Sequence, residues 1–140
     1  MNNEKPHLRT ARVAELAGVT LRQLQVWEEQ KVVVATRSGR VRRYTTAQAL
    51  FVMVLAEFRR RGLSFQRARG LTSQLHELIS GSVVGDQLNR HAFILTDGRK
   101  VQFADSQNKT CELVLNFSRP IVCVNLGHCL DRVNTTEVTR

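Results

Sequence analysis

The sequence predicts an α+β fold in two parts: helices around a short hairpin in the first half, then a small β-β-α-β unit. Three observations predict it. Apolar residues recur at helical spacing through residues 11–30 and 47–79, with a break between them. Alternating apolar and polar runs flank Asp97-Gly98, a strong hairpin signal. Charge also divides the chain: residues 1–70 hold 14 Lys/Arg against five Asp/Glu, and residues 71–140 hold seven against seven. A Ser-Gly stretch, Ser80-Gly81-Ser82 with Gly85, follows that boundary. The expected units are therefore residues 1–79, a linker at 80–89 and a second unit at 90–140.

Each element of the first half has its own signal. Val13, Leu16 and Ala17 recur at helical spacing, so residues 11–17 form a short helix, and Gly18 stops it because a residue free to take positive φ suits a helix end. Thr20 is a good N-cap for a second helix over 21–30. In it Leu21, Leu24 and Trp27 make one apolar stripe, which assigns Trp27 to the core, while Arg22, Gln23, Gln25 and Val26 point elsewhere. Two short helices joined by a tight glycine-containing turn form a helix-turn-helix signature. Val32-Val33-Val34 and Arg40-Val41-Arg42-Arg43-Tyr44 flank Ser38-Gly39 and read as a hairpin, a basic wing. Thr45 or Thr46 caps a third helix over 47–61 that turns Leu50, Val54, Leu55 and Phe58 inward and ends at Gly62. Ser64 caps a fourth, running to Ile79 through Leu71, Leu75 and Leu78, with Gly70 a candidate break.

In the second half, residues 92–96 and 100–104 are the two strands of the hairpin. Asp105-Ser106 resembles a helix cap, and Thr110, Leu113, Val114 and Phe117 favour a helix over 106–117. Cys111 and Leu115 blur that period, so a strand stays open there. Pro120 ends the element, residues 121–124 have the composition of a buried strand, residues 127–133 form a last short helix, and residues 134–140 form a polar tail.

Composition narrows the function. A hydrophobic content of 42% supports a core. The longest apolar stretch, residues 47–56, is interrupted by Gln48, so no membrane span or membrane partner is expected, and the polar residues 1–12 carry no secretion signal. A cytoplasmic protein is expected. The net charge of +9 lies wholly in the first half, the electrostatic footprint of a nucleic acid or an anionic membrane surface rather than of a merely solvated basic face, and a nucleic acid is the expected partner. Catalysis has little support: there is no glycine-rich phosphate loop and no serine-centred elbow, and the four histidines are scattered, so no enzyme is expected. Cys111, Cys123 and Cys129 are odd in number and fit reduced thiols. Cys123, His128 and Cys129 lie close together, but no Cys-x-x-Cys pair exists, so neither a metal nor any other cofactor is expected.

Four phrases, VAELAGVT, LRQLQVWEE, SGRVRRYT and RRRGLSFQRAR, stand in one order and spacing. Residues 10–72 thereby resemble the DNA-binding domain of the MerR family of transcriptional regulators. The resemblance implies a winged helix-turn-helix that binds double-stranded DNA, acting as a homodimer on a pseudo-palindromic operator, with RNA polymerase as a further partner. It also implies that Arg42, Arg43 and Tyr44 grip the DNA backbone. Physical reasoning agrees. Base edges in the major groove present distinct donors and acceptors to a helix, which makes Arg22 and Gln23 candidates for base contacts and puts Thr20, at the helix N-terminus, on a phosphate. Arg40, like the other wing arginines, suits phosphates. Gln25 and Val26 share the same helix, but stand where the family commonly has Arg and Tyr. The long coiled-coil helix usual in the family is absent, which leaves the neutral second half as the dimerisation or effector module.

Other readings stand beside these. Tyr44 is either a backbone contact or a core residue at the base of the wing. Arg59-Arg60-Arg61 is a solvated helix end or a phosphate contact. Glu28 pairs with a nearby arginine. An excisionase-like architectural accessory protein is the alternative function; bound promoter spacers would favour a transcription regulator, and bound attachment sites the alternative.

Overall fold

The computed structural model describes residues 6–82, 92–116 and 122–138. In chain order its elements are β1 (Leu8–Arg9), α1 (Thr10–Ala17), α2 (Leu21–Glu29), β2 (Thr36–Ser38), β3 (Val41–Tyr44), α3 (Thr46–Arg60), α4 (Phe65–Gly70) and α5 (Thr72–Ser82), then β4 (Phe93–Thr96), β5 (Val101–Ala104), α6 (Gln107–Asn116), β6 (Val122–Asn125) and α7 (Leu126–Val138). The described residues form a mixed helix-and-sheet structure with a helix-turn-helix near its start.

The structure is organised around α3. A capping box starts it: Thr45 Oγ1 accepts the Gln48 N–H at 3.1 Å, and Gln48 Oε1 accepts the Thr45 N–H at 2.9 Å. Ten of its residues are buried, including Phe51, Val52 and Met53 beside the expected Leu50, Val54, Leu55 and Phe58. A helix apolar on so many sides needs several partners, and α1, α5 and α7 all pack on it. Two antiparallel sheets flank it, in strand orders β1-β3-β2 and β5-β4-β6. In the second, Asp97 Oδ1 accepts the N–H groups of Arg99 and Lys100 at 2.9 and 3.2 Å, closing the turn between β4 and β5 at Gly98, whose φ is +94°.

One cluster of buried residues runs through both halves. Leu126, Leu130 and Val133 of α7, with Ile94 and Val124, join Val13, Leu24, Phe51 and Phe58. Two hydrogen bonds tie the halves as well. The Val101 N–H donates to Gln74 Oε1 at 3.0 Å, and Arg132 Nη2 donates to the Leu16 carbonyl at 2.8 Å.

Several expectations need correction. Val32-Val33-Val34 is not a strand. The N–H groups of Val32 and Val33 both donate to the Trp27 carbonyl, at 3.0 and 3.3 Å, so this segment turns back under α2 and buries both side chains. The first hairpin strand begins later, at Thr36. Leu21 does not belong to the core stripe; it is 45% exposed, whereas Leu24 and Trp27 are buried. The fourth helix divides at Leu71 into α4 and α5, and Ser80-Gly81-Ser82 belongs to α5. Helix rather than strand prevails at α6, where Ser106 Oγ accepts the Lys109 N–H at 3.1 Å. The polar tail is helical through Val138. Residues 83–89 of the expected linker, Phe117, Pro120, Ile121 and residues 139–140 lie outside the described residues. Among the described residues no helix is long and apolar enough to cross a membrane.

Candidate nucleic-acid interface

The turn between α1 and α2 is set by Gly18 and Thr20. Gly18 has φ +71°, and a side chain there would meet Arg60 Nη1 at 3.1 Å from its Cβ. Arg60 takes that place because its Nη1 donates to the Ala17 carbonyl at 2.7 Å, a cation at the C-terminus of α1. Thr20 is the N-cap of α2, its Oγ1 accepting the Gln23 N–H at 3.0 Å. Helix α2 therefore starts on a defined turn, with its first residues turned to solvent.

The hairpin is fastened to α2 by Glu28. One carboxylate oxygen accepts Arg42 Nη1 at 2.5 Å, and the other accepts the Tyr44 hydroxyl. The Glu28 side chain is 5% exposed and that of Arg42 37%. Tyr44 is fully buried. Its burial, followed by the bond to Glu28 and that carboxylate's charge, holds the phenol far above its ordinary pKa, so it stays a neutral donor.

Between the start of α1, the exposed side of α2 and the hairpin lies an open concave surface. Arg9, Thr10 and Ala11 form one wall, Leu21, Gln25 and Glu28 the second, and Arg37, Arg40, Val41, Arg42 and Arg43 the third. Strand pairing brings the walls together: Arg9 lies opposite Arg43, and Arg37 opposite Arg42. Five arginines thus face a surface whose one carboxylate is already held by Arg42 and Tyr44. Such a concavity concentrates positive potential and favours a polyanion.

The candidates read from the sequence distribute unevenly over this surface. Gln25, Arg40, Arg42 and Arg43 line it. Thr20, Arg22 and Gln23 are exposed at the start of α2, outside its lining, and Val26 is half-buried. Tyr44 is buried in the core, with its hydroxyl on Glu28, and presents no surface to a ligand. The sequence reading missed Arg9, Arg37, Leu21 and Val41. Arg37 had a signal, since it lies just before the Ser38-Gly39 turn; Arg9 had none, because its place depends on the pairing of β1 with β3.

The remaining basic run is engaged internally. Arg59 Nη1 donates to the Leu63 carbonyl at 2.8 Å, and Arg60 and Arg61 pair with Glu57, whose carboxyl the Arg60 hydrogen bond holds below its usual pKa. Of the cysteines, Cys111 is exposed, Cys123 is half-buried and Cys129 is buried. Burial raises the Cys123 thiol and pushes that of Cys129 up to about 11. Among the described residues no three of His, Cys, Asp and Glu gather as a metal site.

Comparison with known proteins agrees with the geometry. Residues 8–75 match the family model of the MerR helix-turn-helix regulatory proteins, and no curated protein matches the chain. The match begins at β1 and ends within α5, so it covers every element that lines the concave surface. Residues 8–75 are therefore a helix-turn-helix domain of the MerR type, which at the level of that family supports a DNA-binding transcription regulator.

Proposed function

We propose that the chain binds double-stranded DNA sequence-specifically, as a homodimer on a pseudo-palindromic operator, and controls transcription from there. The observation that carries this reading is the concave surface with its five arginines and no available carboxylate. Helix α2 enters the major groove, where Arg22 and Gln23 meet base edges and Thr20 meets a phosphate. Arg40 and Arg43 of the hairpin, with Arg9 and Arg37, grip backbone phosphates. Arg42 and Tyr44 act one step back: both hold the hairpin to α2 through Glu28. RNA polymerase is the second partner this reading implies.

The two kinds of contact separate in one experiment. Arg43→Ala weakens binding to all duplexes alike and lowers the salt slope by roughly one unit, as expected for one lost phosphate contact. Arg22→Ala weakens the preferred duplex by about 1–3 kcal/mol more than random DNA. Titrations of both variants at several salt concentrations test this. An unchanged slope removes Arg43 from the interface, and equal losses on both duplexes reassign Arg22 to the backbone.

In this reading the second copy packs on α6. Val114 is 41% and Leu115 83% exposed on this helix, and residues 71–140 carry no net charge to repel a twin. Sedimentation of the full chain is expected to show a dimer and Leu115→Asp a monomer with at least about tenfold weaker DNA binding, since joined half-sites gain by linkage. A dimeric Leu115→Asp would move the interface elsewhere.

A further inference from the structure

The DNA-binding reading leaves Leu21 unexplained. It is the first residue of α2, directly after the Thr20 N-cap, and it is 45% exposed. The packing of α2 does not require it, because Leu24 and Trp27 are the residues that α2 buries. Instead it lines the basic concavity, together with Gln25 one turn later. At about 100° per residue, Gln25 lies about 40° around the helix from Leu21 and Arg22 about 100°, so the three occupy one broad side of α2. An aliphatic side chain amid arginines has nothing to offer a phosphate. Along the edges of the major groove the apolar group is the 5-methyl of thymine.

We propose that Leu21 is a specificity-determining residue, packing on a thymine methyl in the major groove beneath the start of α2. This inference rests on the DNA-binding reading of the same surface. It requires one thymine per half-site whose methyl group matters to this protein, near the base pair that Arg22 contacts. A long polar side chain at position 21 would lose that preference while leaving the phosphate grip in place.

The test uses the full chain and the duplex it enriches from a random-sequence pool. Each thymine of that duplex is replaced in turn by deoxyuridine, which keeps the base pairing and removes only the methyl group. One replacement per half-site is expected to weaken the unaltered protein about fourfold, as loss of one buried methyl group predicts. The same replacement is expected to have no effect on Leu21→Ala, and Leu21→Gln should enrich duplexes without a preference for thymine there. If no deoxyuridine weakens the unaltered protein, or if Leu21→Ala responds as the unaltered protein does, the proposal is overturned while DNA binding stands. Failure of the unaltered chain to bind any duplex would overturn the DNA-binding reading itself. Because the methyl is removed from the DNA, the first measurement does not depend on whether a variant folds.

Discussion

Glu28→Ala is expected to lower the stability of the fold by about 3 kcal/mol, near the lower end of the range for breaking a buried hydrogen-bonded charge pair. The carboxylate is 5% exposed and holds two groups at once, Arg42 Nη1 and the Tyr44 hydroxyl. Its removal leaves a buried phenol without an acceptor and a guanidinium without its counter-charge. The estimate stays at the low end because Arg42 is 37% exposed and water recovers part of its hydration. Tyr44→Phe, which keeps the ring in place and deletes only the hydroxyl, is expected to cost about 1–2 kcal/mol. Thermal melting checks both: roughly a 10 °C fall in Tm for Glu28→Ala, and about one-third to two-thirds of that for Tyr44→Phe. DNA affinity of Glu28→Ala should fall at least about tenfold at a temperature where it is folded, because the hairpin arginines no longer hold a fixed angle to α2. An unchanged Tm would mean that the hairpin is positioned by its backbone pairing alone.

Leu130→Ala is expected to have an effect of similar size at a residue that does not line the concave surface. Leu130 is 4% exposed and packs α7 into the cluster that includes Phe51 and Phe58 of α3. Deleting three buried heavy atoms from a packed core destabilises by about 2–5 kcal/mol. The diagnostic feature is where the loss appears. Trp27, the chain's one tryptophan, lies in the first half and is 4% exposed. Because one cluster joins both halves, Trp27 emission and far-ultraviolet circular dichroism should report a single transition that moves down by roughly 10 °C. A separate Trp27 transition at its original temperature would show that the two halves unfold independently.

The sequence by itself determined the local elements and their chemistry. The α1–α2 turn was legible because a glycine needed at positive φ and a threonine N-cap are short-range signals, and both act as read. The cap Ser64, the pairs Thr45-Thr46 and Asp105-Ser106 from which Thr45 and Ser106 do the capping, and the Asp97-Gly98 turn were legible for the same reason. So was the one-sided charge, which implies a polyanionic partner for the first half. Tertiary structure decided what depends on partners distant in sequence. Leu21 reads as core from its spacing, but the face on which a helix is buried depends on where its neighbours lie, and here Leu24 and Trp27 face them while Leu21 does not. Val32-Val33-Val34 has strand composition, yet the Trp27 carbonyl captures its amides first. Arg9 enters the basic surface only through the pairing of β1 with β3, and Tyr44 leaves it because Glu28, 16 residues away, binds its hydroxyl in the core. Propensity and capping act over four residues or fewer, whereas burial and strand pairing are settled by whatever the rest of the chain brings alongside.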